Sequence, residues 1–107
     1  MKFDYVREEN SLIFYFNGRL DTATCQEIGS DILQKVSEET EGDEVLEGAL
    51  RVFFDLAEVD YVASSFLRLC SAVAGKVNRT NLTVRKTSPF VRKVFEMAGF
   101  DRIIALE

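Results

Sequence analysis

A chain of 107 residues, 47% of them hydrophobic, can bury a core without disulfide support, and one domain over residues 1–107 is the expected organisation. There is no histidine, so the usual general base and the commonest metal ligand are missing, and two separated cysteines make no zinc site. The formal charge of −5 is uneven: residues 1–65 hold 5 Lys/Arg against 15 Asp/Glu, residues 66–107 hold 8 against 3, and such asymmetry can mark an interaction surface.

The pattern along the chain reads strand, strand, helix, strand, helix, strand, helix, strand. Residues 2–7 alternate weakly and fit an edge strand. Residues 11–17 are a near-continuous apolar run ending at Asn17-Gly18, which predicts a central strand. Asp21 or Thr22 can then cap a helix whose apolar stripe is Cys25, Ile28, Ile32 and Val36. The acidic stretch Ser37–Glu44 reads as a solvated surface loop. Leu50–Leu56 predicts a buried strand, followed by a short acidic connection.

A second helix starts at Ser64, carries Phe66, Leu69, Cys70, Val73 and Val77 at helical spacing, and stops near Asn78. Leu82–Val84 is a short strand. Ser88-Pro89 is a helix start, because Ser caps and Pro loses nothing in the first turn. Phe90, Val91, Val94, Phe95 and Ala98 are assigned to the inner face of that helix, Gly99 to its stop, and residues 103–106 to a last strand. Alternating helices and strands imply an α/β fold with a mostly parallel or mixed sheet.

The segment from Val52 to Leu67 carries the most information. It reads as a buried strand, an acidic connection and two serines opening an amphipathic helix. N–H groups at a helix start lack partners and the dipole there favours negative charge. Ser64 and Ser65 therefore fit two roles, helix capping or a phosphate-bearing switch. Asp55, Glu58 and Asp60 resemble a cation-holding cluster, yet no phosphate-cradling glycine loop accompanies them, so neither a metal nor a cofactor is expected.

No nucleophile, base and oxyanion set can be assembled, which argues against an enzyme and leaves no catalytic residue to name. The basic residues are dispersed, which disfavours nucleic acid. Apolar runs such as Leu12–Phe16 are too short to cross a bilayer, and Met1–Tyr5 lacks a secretory pattern, so the cytoplasm is the expected location. Cys25 and Cys70 fall on apolar helix faces and read as buried free thiols.

Four collinear stretches resemble the STAS domain family of bacterial anti-sigma factor antagonists and sulfate-transporter tails. They are Gly18-Arg19-Leu20-Asp21, the run Phe54–Leu67, Ser88-Pro89-Phe90-Val91-Arg92-Lys93-Val94-Phe95, and Met97-Ala98-Gly99-Phe100 leading into Ile103-Ile104. The resemblance implies a mixed sheet of about four to five strands packed against three or more helices. It also implies a partner, an anti-sigma factor that is also a serine kinase, released when the kinase phosphorylates the first serine after a motif aspartate. Carried onto this chain, that serine is Ser64, with Ser65 second in line, and the partner-binding set is Asp21, Ala63, Ser64, Ser65 and Phe66.

Two positions depart from the pattern: Ala63 stands where the family has Asp, and Phe66 where it has Gly. The resemblance thus leaves two alternatives open. One is a STAS-like binding module without a phosphorylation cycle, using Phe66 and nearby apolar surface. The other is a nucleotide or small-ligand sensor lined by Gly18, Asp21 and the Ser64 helix start.

Overall fold

The computed structural model describes residues 3–41, 50–77 and 81–107. The elements run β1 (Phe3–Glu8), β2 (Ser11–Leu20), α1 (Thr22–Glu41), β3 (Arg51–Val62), α2 (Ser64–Val77), β4 (Leu82–Arg85), α3 (Pro89–Met97), a 3-10 turn (Phe100–Arg102) and β5 (Ala105–Leu106). The order of types matches the sequence reading. The strands form one sheet in the order β1-β2-β3-β4-β5, antiparallel between β1 and β2 and parallel elsewhere. This is the expected mixed α/β sheet with three helices.

The side-chain period of two sorts the sheet into two faces. Leu12, Phe14 and Phe16 of β2, Val52, Phe54 and Leu56 of β3, and Leu82 and Val84 of β4 share one buried cluster with Ile28, Ile32 and Val36 of α1, Cys70 and Val73 of α2, and Val91 and Phe95 of α3. All three helices therefore pack on the same face. The centre of this core is aromatic. Phe16 meets Phe54 and Phe66 edge-on at 5.2 and 5.4 Å between centroids, and Phe66 meets Phe95 edge-on at 6.4 Å. Edge-to-face pairs of this kind are favoured by the ring quadrupole.

Several boundaries differ from those read off the sequence. The β2 strand does not stop at Asn17-Gly18 but continues to Leu20, because Gly18 takes φ +80 and absorbs an irregularity without ending the pairing. The acidic connection after Leu56 is strand as well. The pairings Tyr15 with Asp55, Asn17 with Glu58, Gly18 with Val59 and Arg19 with Tyr61 put one extra β3 residue into the ladder twice. These two bulges break the alternation that marks a strand, which is why Ala57–Val62 does not look like one.

Helix α1 extends through Ser37–Glu41, where a surface loop was expected; the rest of that acidic stretch, and the α2 stop at Asn78, lie outside the described residues. Glu39 binds Arg7 of β1 at 2.6 Å and Lys35 approaches Glu38 at 3.8 Å, so the acidic end of α1 has local partners. In α3 the assigned inner face is too wide: Val91 and Phe95 are fully buried, but Phe90 and Ala98 are exposed. Gly99 ends that helix at φ +77 as expected, and the last strand shrinks to Ala105–Leu106 because Phe100–Arg102 form a turn first.

Candidate functional site

Each of β2, β3 and β4 ends at the same edge of the sheet and leads into a helix, through one residue after β2 and β3 and through three after β4. The N-termini of α1, α2 and α3 therefore line one edge, the carboxyl edge at which ligands and partners of open α/β sheets commonly bind. The Ala63 N–H donates to the Leu20 carbonyl at 2.9 Å, tying the β3–α2 junction to the β2–α1 junction. Asp21 and Ser64 thus flank one hydrogen-bonded seam.

The three helix starts are capped differently. Asp21 Oδ1 accepts from the Thr24 N–H at 2.9 Å, and Ser88 Oγ accepts from the Val91 N–H at 3.2 Å, so α1 and α3 each have a side-chain cap as the sequence suggested. At α2 the residue in the cap position is Ala63, which has no side-chain acceptor; its carbonyl takes the Phe66 N–H at 2.9 Å instead. Ser64 and Ser65 are the first and second helical residues, one step too late to cap. Capping, the simpler role for these serines, is therefore not what they do. Replacing the missing acceptor, Ala63→Asp, is expected to raise the unfolding free energy by about 1 kcal/mol. Urea denaturation reads this as a higher midpoint at unchanged slope.

The two serines are not equivalent. Ser64 is exposed, and its hydroxyl has no hydrogen bond among the described residues. Ser65 turns inward: its Oγ is buried and makes no hydrogen bond of standard length. Its near neighbour is Cys25 of α1, whose thiol burial pushes up in pKa while the Ser65 hydroxyl pulls it part of the way back. Cys70 lies deeper, and burial together with the Cys25 charge pushes its thiol well above the ordinary range. Both cysteines are free and buried, as the helical spacing implied.

Phe66 corrects one assignment outright. It was placed in the partner-binding set, but its ring is 0% exposed and sits among Phe16, Phe54 and Phe95. As the third residue of α2 it falls on the stripe that faces the sheet, and only its backbone remains near the edge. Phe90 is the large apolar residue that the edge exposes. It lies 58% open in the first turn of α3, one residue after Pro89, and its helical spacing from Val94 hid that exposure from a reading of the sequence. The edge thus presents Asp21, Ala63, Ser64 and Phe90.

The acidic trio does not converge. Asp55 is 4% exposed and engaged by Arg85 at 3.1 Å and Lys86 at 3.8 Å, while Glu58 and Asp60 are exposed further along the bulged strand. No group of three or more potential metal ligands occurs among the described residues. A pocket of about 190 Å³ opens between β1 and α1, lined by Phe3, Tyr5, Asp31, Gln34, Lys35 and Glu38, so Gly18, Asp21 and Ser64 do not line it. No helix among the described residues is long and apolar enough to cross a membrane.

Comparison with known proteins agrees with this fold. BtrV of Bordetella bronchiseptica, a proposed anti-sigma factor antagonist, is 28% identical over 102 residues, covering 94% of this chain and 80% of BtrV. An anti-sigma-factor antagonist (STAS) domain protein of Planctomyces limnophilus superposes with a TM-score of 0.80 at 17% identity, over 98% of this chain and 87% of that one. The anti-sigma factor antagonist SpoIIAA superposes at 17% identity in two forms, with coverage of 98% of this chain in both. The TM-score is 0.75 over 87% of the unphosphorylated chain and 0.66 over 90% of the phosphorylated one from Bacillus. The profile of the STAS domain matches residues 2–107. By that match, and by the sheet order and helix placement described above, the chain belongs to the STAS domain family.

Proposed function

We propose that this STAS domain is a cytoplasmic regulatory binding protein of the anti-sigma factor antagonist type, switched by phosphorylation of Ser64 rather than an enzyme in its own right. The exposed carboxyl edge with Asp21, Ala63, Ser64 and Phe90 docks an anti-sigma factor that is also a serine kinase. The kinase transfers the γ-phosphoryl group of ATP to Ser64 Oγ: the Oγ–P bond forms as the bond to the β–γ bridging oxygen breaks, ADP stays with the kinase, the hydroxyl proton passes to a base of the kinase, and the complex opens.

The observation that carries this reading is the contrast between the two serines: Ser64 offers a solvent-facing hydroxyl, whereas the Ser65 hydroxyl is buried. A phosphate on Ser64 adds nearly two negative charges at the first residue of a helix, where first-turn N–H groups can donate to it without refolding the domain. The same charge desolvates poorly against a partner surface, so the effect is local and electrostatic. Ala63 removes a carboxylate that would otherwise repel the new phosphate, which favours a stable modified form. Burial of Phe66 counts against a module that uses this ring as its anchor, and Phe90 takes the place of exposed aromatic at the edge.

Incubation with a cognate anti-sigma kinase and ATP is expected to add one phosphate, mapped by mass spectrometry to Ser64 and absent from Ser64→Ala. Ser64→Asp is expected to bind that partner at least about tenfold more weakly than Ser64→Ala, since a misplaced charge in an interface costs several kcal/mol. A phosphate on Ser65, or equal binding by the two variants, would overturn the assignment.

A further inference from the structure

The face of the sheet opposite the helices is an organised surface that the function above leaves unused. Ile13 is buried to 7% exposure yet stands outside the core cluster, because it points to this other face. Pairing registers lay out three rows across the strands. One row is Val6, Ile13, Phe53, Thr83 and Ala105; the second is Asp4, Tyr15, Asp55 and Arg85; the third is Glu8, Ser11 and Arg51. The middle row is mainly apolar, with Val6 39% exposed, and Tyr15 beside it is 37% exposed. Both flanking rows carry an acid on β1 and a base on β3 or β4. Arg85 lies over the Phe53 ring at 5.2 Å while it holds Asp55, so the basic side is fixed in place. None of the described helices packs on this face.

We propose that this face binds a second copy of the chain, about a two-fold axis that lies between the two sheets and runs parallel to the strands, midway between β2 and β3. The charge pattern selects that operator. Rotation about it keeps each row at its own level and reverses its direction, so β1 of one copy lies over β4 of its partner, and β2 over β3. Asp4 then meets the basic pair Arg85 and Lys86, Glu8 comes within one strand spacing of Arg51, and Ile13 stacks on Phe53. Tyr15 is brought opposite Asp55, whose buried carboxylate stays with Arg85 and Lys86 of its own copy. An axis across the strands would instead set β1 over β1 and oppose acid to acid. A C2 contact must be self-complementary, and this surface has that property along each row.

Strands about 4.8 Å apart make the regular part of the face only about 20 Å on a side, small for a stable interface. Association is therefore expected in the range of roughly 10 μM to 1 mM, typical of small and transient contacts. Beyond Tyr15 the two β3 bulges twist the sheet, which turns the Ser64 edge away from the contact. The dimer and the partner-docking edge are thus compatible.

Sedimentation velocity of the full chain from about 5 μM to 1 mM tests the proposal. The expected result is a concentration-dependent monomer–dimer equilibrium that added salt weakens. Glu8→Arg and Arg51→Glu each raise the dissociation constant about tenfold, and the swapped double variant recovers to within about threefold of the parent. Both positions are exposed, and unchanged melting curves verify that the variants fold. A parent that stays monomeric at 1 mM (about the weakest association allowed here), or single variants that dimerise like the parent, would overturn it. Failure of the swap to recover association would overturn the proposed axis. Ser64 takes no part in these measurements, so their outcome is independent of the switch.

Discussion

Phe66→Ala is expected to remove about 3–5 kcal/mol of stability. The ring is fully buried and bridges the sheet and a neighbouring helix, touching Phe16 on β2, Phe54 on β3 and Phe95 on α3. Truncation forfeits the transfer free energy of the ring and leaves a cavity that neighbouring aromatics, held by each other, fill poorly. Small domains have a total stability of roughly 5–15 kcal/mol, so the variant would be partly unfolded near physiological temperature if the parent lies at the low end. Each kcal/mol corresponds to about 4–8 °C of melting temperature in a domain of this size. Urea denaturation followed by circular dichroism measures the change. A loss under about 1 kcal/mol would mean that the ring is not packed as described. Phe66→Gly, the residue of the family pattern, should cost more still, because glycine adds its own penalty of about 1 kcal/mol within a helix.

Arg85→Met is expected to cost about 3 kcal/mol, for a different reason. Asp55 is a buried carboxylate on the open face, and it is served by three groups: the Arg85 guanidinium at 3.1 Å, the Lys86 ammonium at 3.8 Å and the Ala57 N–H at 3.1 Å. Removing one partner of a buried pair strands the other charge, which usually costs about 3–5 kcal/mol. Lys86 stays, so the lower end is expected. Methionine keeps the apolar stem of the side chain but not the guanidinium that lies over Phe53, so the single variant loses that cation–π contact along with the ion pair. In a double-mutant cycle with Asp55→Asn, the Arg85→Met penalty should fall by more than half, since no buried charge is left behind. Equal penalties in both backgrounds would show that Arg85 acts through packing alone.

Much of this architecture is legible in the sequence because the core helices keep their period. Cys25, Ile28, Ile32 and Val36 all lie buried at the predicted spacing, as do Phe66, Leu69, Cys70, Val73 and Val77. The strand β3 was legible only as far as its first bulge, since one added residue reverses which side chains face the core and erases the alternation. On α3, Phe90 and Phe95 look equally suited to the interior. The helix is only nine residues long and buries just Val91 and Phe95, so position on the helix rather than residue type decides which phenylalanine is covered. At the site, the Ser64–Ser65 pair is conspicuous, but its asymmetry depends on one residue of helix phase, which fixes Ala63 as the cap. The register that aligns acids with bases across the open face requires strand pairing, and no local pattern encodes it.

The order of strands in the sheet is also the order in which they are made. During synthesis the β1–β2 hairpin needs nothing downstream, and β3, β4 and β5 each find the edge they pair with already present. No strand has to be threaded between two that have already joined, a step that would demand opening of an assembled sheet. Phe3, Phe14, Phe16 and Phe54 can cluster as soon as β3 has emerged, and the later helices then close over a surface that is already aromatic. A nascent chain of this topology therefore exposes one growing edge at a time, which limits the interval in which unpaired strands are open to aggregation.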